Sequence, residues 1–135
     1  MPDKQIKIDL DSQEEFDIFI ERLRFFSDQL PAAFKNAEVF TTAKGFHVYM
    51  ESCYNRIQDI LIIQSILNDD PRRATFNFRR LKLTGQAQNI LFTEKRNSNR
   101  EIISKEKFSS IMTALVNDIL LRARKQIQYK IGNGL

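Results

Sequence analysis

Lys4-Gln5-Ile6-Lys7-Ile8-Asp9-Leu10-Asp11-Ser12 sets the reading of the chain. Ile6, Ile8 and Leu10 alternate with polar residues, the two-residue period of a strand buried on one face. Ser12 ends the alternation as a helix cap, and Glu15 stands three residues on, the spacing of a capping box. A helix follows over 14–30, with Phe16, Phe19, Ile20, Leu23 and Phe26 as its apolar stripe and Pro31 as its stop. Outward from there the pattern predicts a strand at 38–42 and a turn at Ala43-Lys44-Gly45, with Gly45 supplying a positive φ. The return strand, 46–51, sets Phe46, Val48 and Met50 on one face and His47, Tyr49 and Glu51 on the other.

The second half reads less cleanly. A well-buried helix is expected over 56–67, capped by Asn55. Phe76 and Phe78 alternate with polar neighbours, which predicts a strand over 74–83 with both rings in the core; the alternative is a single-strand binding surface, where the rings stack and the basic residues around them neutralise phosphate. A short strand at 89–93, a loop at 94–104 and a helix over 105–131 capped by Ser104 complete the map. This order predicts an α+β fold: a ferredoxin-like or RRM-like antiparallel sheet with the first strand central, helices on one face and a long C-terminal helix.

With 135 residues and 15.9 kDa, the chain is expected to form one domain, 1–135. A hydrophobic fraction of 42% excludes a disordered tail. No apolar run reaches the ~18 residues of a bilayer span, and the first residues lack the apolar stretch of a signal peptide; a cytoplasmic, non-membrane protein is expected. Cys53 is the only cysteine, which excludes an internal disulfide and a cysteine-rich zinc site, and it reads as a buried thiol. Charge is uneven: residues 1–70 hold 7 basic and 13 acidic side chains, residues 71–135 hold 14 and 4. A basic second half attracts polyanions if the fold leaves it on one side, and is ordinary surface if the fold mixes the halves.

Asp9 and Asp11, two apart on one strand end, share a face and suit a divalent cation such as Mg²⁺ or Mn²⁺; they equally suit a plain strand end leading into a helix. His47 falls beside them if its strand neighbours the first. Asp69-Asp70 before Pro71 reads as a turn or as a third acidic ligand. Lys44, Arg72, Arg73, Arg79, Arg80 and Lys82 are the candidate nucleic-acid contacts, because guanidinium and ammonium groups neutralise phosphate. Arg122, Arg124, Lys125 and Lys130 give the last helix a basic side; it packs on a second copy, as a homodimer, or lies against nucleic acid. No glycine-rich phosphate loop occurs.

Ile8-Asp9-Leu10-Asp11-Ser12 resembles the first motif of archaeo-eukaryotic primases and primase-polymerases, and Thr42-Ala43-Lys44-Gly45-Phe46-His47-Val48 resembles their second. The resemblance covers roughly 4–93 and implies an RRM-like core. It implies Asp9 and Asp11 as catalytic metal ligands, His47 as a catalytic phosphate contact and Lys44 as a phosphate or template contact. The third motif is a strand carboxylate, and here Asn77 stands in its expected place. The family's small zinc unit is absent. Together these imply a reduced relative, of the kind carried by archaeal viruses or plasmids, working in the host cytoplasm. The function expected is nucleic-acid binding, DNA ahead of RNA, without polymerase activity. The alternatives are a Mg/Mn-dependent nucleotidyltransferase and a non-catalytic dimeric structural protein.

Overall fold

In the computed structural model, residues 5–132 are described, with side chains to Gln126, so Lys130 lies outside the described side chains. The order is β1 (Gln5–Leu10), α1 (Gln13–Gln29), β2 (Phe34–Thr41), β3 (Phe46–Ser52), α2 (Ile57–Ile66), α3 (Pro71–Thr84), β4 (Glu94–Arg96), β5 (Ile102–Lys105), β6 (Lys107–Phe108) and α4 (Ser110–Gly132). The main sheet runs β1-β3-β2-β6, antiparallel throughout, and β4 pairs with β5 in a separate hairpin. The fold is therefore mixed, an antiparallel sheet with several helices. Among the described residues no helix is long and apolar enough to cross a membrane.

One face of the sheet carries the alternating apolar set, Ile6, Ile8 and Leu10 with Val48 and Met50, all fully buried. Phe16, Phe19 and Leu23 of α1, Ile60 and Ile63 of α2 with Leu67 at its C-cap, and Val116, Ile119 and Leu120 of α4 close over it in one core. Burying each large side chain contributes about 1.5–3 kcal/mol, so this face holds the domain together. Ser12 caps α1 by accepting from Glu15 N–H, while the Glu15 carboxylate reaches back to Asp11 N–H, one residue beyond the expected reciprocal bond to Ser12.

The strand expected over 74–83 is a helix instead. Asp70 caps α3 by accepting from Arg72 N–H, Pro71 occupies its first turn, and Gly85 ends it in the left-handed conformation at φ 75°. The apparent alternation spans only Phe76–Phe78, too short to outweigh good helix formers between firm start and stop signals. Phe76 is 58% exposed and Phe78 half-buried, so neither is a core residue. β1 consequently lies at a sheet edge and is not central.

Other boundaries move for local reasons. No strand forms at 89–93; the regular pairing lies in the expected loop, as β4 and β5. Their turn is built by Asn97, whose side-chain oxygen accepts from Asn99 and Glu101 N–H. Ser109, not Ser104, caps the last helix by accepting from Met112 N–H, because 102–108 is extended. Arg56, with no side-chain bond, stands at the α2 cap in place of Asn55. Cys53 is exposed. Gly45 has no positive φ; a Cβ there would lie 1.9 Å from the Leu10 carbonyl oxygen, so close approach to β1 requires the glycine.

Candidate functional site

The antiparallel register sets Asp9 directly opposite His47 and Lys7 opposite Tyr49, on the sheet face away from the core. This face is where chemistry-bearing side chains gather. His47 Nδ1 lies 2.8 Å from Glu106 Oε2 and Nε2 lies 3.5 Å from Asp9 Oδ1. The Tyr49 hydroxyl donates to the same Glu106 oxygen at 2.8 Å. Burial works against a charged imidazole, but the bonds to Asp9 and Glu106 outweigh it and raise the His47 pKa. Burial, then the bond to Glu106, also pushes Tyr49 up. Both ring nitrogens thus face carboxylates, Nδ1 hydrogen-bonded to Glu106 and Nε2 beside Asp9, so His47 is committed within the protein.

An open groove of about 430 Å³ runs over this cluster, between the Lys44 turn and the β4–β5 hairpin. Asp9, Asp11, His47 and Glu106 line it, with Lys44, Phe92, Lys95 and Lys105 among the exposed side chains around them. Loss of water, then the neighbouring carboxylates Asp9, Asp70 and Glu15, raise the Asp11 pKa, and Lys44 opposes them. The structure thus brings Asp9, Asp11, His47 and Lys44 to one place.

Asp9 and Asp11 would supply a Mg²⁺ or Mn²⁺ with two carboxylates and leave its other positions to water or phosphate. Among the described residues, no three His, Cys, Asp or Glu side chains are arranged to hold a metal ion. Asp69 is not a third ligand: its carboxylate accepts from Asp9 N–H at 2.9 Å and pairs with Arg73 at 2.6 Å. Burial pushes Asp69 up to about 6, against the pull of Arg73. Asn77 sits on α3, not on a strand, fully buried and with no hydrogen-bond partner for either side-chain polar atom among the described residues.

Of the expected phosphate contacts, Arg73 is spent internally. Its guanidinium donates to the Lys7 carbonyl at 3.0 Å, to Asp69 and to Asn89. Arg72, Arg79 and Lys82 are exposed and Arg80 half-buried, and none of the four makes an ion pair among the described residues. Arg124 of α4 donates to the Phe34 and Lys35 carbonyls, so it too has a structural task.

Glu106 was not visible from the sequence as a site residue. It follows β5 among alternating charges, 59 positions from His47, and no spacing rule connects the two. No protein-family model, no curated protein and no solved structure matches the chain.

Proposed function

We propose that this protein binds nucleic acid, without polymerase activity, on a reduced primase-like framework of ferredoxin-like type. One observation carries the reading. Residues 71–93 contain no acidic side chain, and within them α3 sets Arg72 and Arg79 around one open hollow with the exposed Phe76. Two guanidinium groups with no ion pair among the described residues, flanking an aromatic ring, form a phosphate-attracting surface. The β1-β3-β2 strand order supports the ferredoxin-like framework, with α3 in place of its fourth strand. The Asp9–x–Asp11 and His47 motifs on paired strands support the family reading.

The alternative is a metal-dependent nucleotidyltransferase. In its favour, Asp9, Asp11 and His47 line one groove. Against it, His47 is tied to Glu106 and the third carboxylate position is Asn77 on a helix.

Fluorescence anisotropy with labelled oligonucleotides over a salt series tests the proposal. Binding is expected to weaken steeply with salt, and R72A/R79A to lower the log–log slope by about one to two. Affinity without salt dependence, or a double variant indistinguishable from wild type, overturns it.

A further inference from the structure

The groove over Asp9 and His47 differs in kind from the α3 surface. Its basic and acidic lining residues balance: Lys44, Lys95, Arg96 and Lys105 against Asp9, Asp11, Glu94 and Glu106. It is therefore not a simple polyanion channel. The charges are also sorted by depth. The side chains of Asp9 and Glu106 are 26% and 12% exposed and form a recessed floor with His47. Lys44, Lys95 and Lys105 stand exposed at the rim, and Phe92 beside them is 84% exposed.

Each layer selects a different part of a ligand. Rim ammonium groups attract phosphate. A bare aromatic ring offers a stacking face to any planar base, and stacking is insensitive to base identity. The floor carboxylates are acceptors only, and each spends one oxygen on His47 or Tyr49. Their remaining oxygens call for a neutral hydrogen-bond donor. Among bases, the exocyclic amine of cytosine supplies one, and Asp or Glu accepting from that amine is a recurrent recognition pair. Thymine offers a carbonyl at the same position, which a carboxylate repels.

We infer that the groove receives one unpaired base bearing an exocyclic amine, stacked on Phe92, with its amine toward the Asp9–Glu106 floor and its phosphates on the lysine rim. The inference rests on the nucleic-acid reading and adds a strand state and a base preference to it. A base within a duplex has both faces stacked and cannot lie on Phe92, so the ligand is single-stranded at this point.

The test compares labelled oligo(dC) and oligo(dT) of equal length, with wild type and F92A, at one salt concentration and then across a salt series. The two strands share charge and ring size, so phosphate contacts cancel. Oligo(dC) is expected to bind about tenfold tighter than oligo(dT). F92A is expected to weaken oligo(dC) about tenfold with an unchanged salt slope, since it removes stacking and no charge. Phe92 is exposed, so the variant folds. Equal affinity for the two strands overturns the inference whatever F92A does. Steep salt dependence in that case leaves the nucleic-acid reading standing on phosphate contacts alone. Absence of binding to either strand overturns the inference, and the same salt series with a labelled duplex then decides the nucleic-acid reading: no duplex binding overturns that as well.

Discussion

The two edges of the sheet meet the same difficulty and answer it with different chemistry. Outward-facing backbone groups on an edge strand lack partners and invite another chain. At β1, side chains stand in for the missing strand. Gln64 accepts from Lys7 N–H, Asp69 accepts from Asp9 N–H, Arg73 donates to the Lys7 carbonyl, and Asn89 donates to the Gln5 carbonyl. Gln64 and Asn89 also bond each other reciprocally through their amides. At β2, α4 does the work. Asn117 bonds both backbone groups of Ala37, and Thr113 accepts from Val39 N–H. Ser109 N–H donates to the Val39 carbonyl, and β6 pairs with Phe40 and Thr41. From Ala37 to Thr41 the β2 edge is closed by neutral groups, and at its start Arg124 donates to the Phe34 and Lys35 carbonyls. The β1 edge is closed partly by a buried ion pair whose carboxylate is shifted in pKa, so its closure depends on pH.

Removing charge from β1 should have the largest effect. R73A leaves the Asp69 carboxylate buried without its cation and uncovers the Lys7 carbonyl. Urea unfolding is expected to show a loss of about 3–5 kcal/mol. A loss below ~1 kcal/mol would mean that the pair contributes nothing beyond two ordinary hydrogen bonds.

The pH response separates the edges next. Asp69 sits at about 6 in the folded protein, above its ordinary 3.8, so the folded state holds its proton more tightly than the unfolded one. Its contribution to stability is therefore complete below about pH 4 and gone above about pH 6, a change on the order of 2–3 kcal/mol. D69N should remove that slope from the stability-versus-pH curve, and parallel curves for the two proteins would refute the assignment. N117A should cost least, about 1–2 kcal/mol, with no change in pH dependence, because the two bonds it removes from Ala37 are neutral and Asn117 is only half-buried. If N117A cost as much as R73A, the contrast between the edges would collapse.

Much of the core was legible because its signals are local. The alternation of Ile6, Ile8 and Leu10, the Ser12 cap, the Phe16–Leu23 stripe and the Phe46–Met50 alternation each span fewer than a dozen positions. The convergence of Asp9, His47 and Lys44 followed from the expected neighbouring strands. The helix at 71–84 was misread because two phenylalanines imitated a strand period, although the Asp70-Pro71 start and Gly85 stop were present. Arg73 was misplaced as a surface contact: its ion-pair partner Asp69 is four residues away, but Lys7 and Asn89, which complete its bonds, are 66 and 16 residues away.

By itself, the sequence determined where β1, α1, β3 and α2 begin to within a residue, though not β2, which starts at Phe34 and not at 38; it also determined that the basic charge lies after residue 70. Those properties depend on side-chain period, caps and composition over a few residues. Only the tertiary structure decided that β1 is an edge, that Arg73 and Asp69 seal it, and that Glu106 closes over His47. Those outcomes depend on which backbone groups remain unpaired after the sheet forms. Their partners come from distant segments whose approach no local spacing encodes.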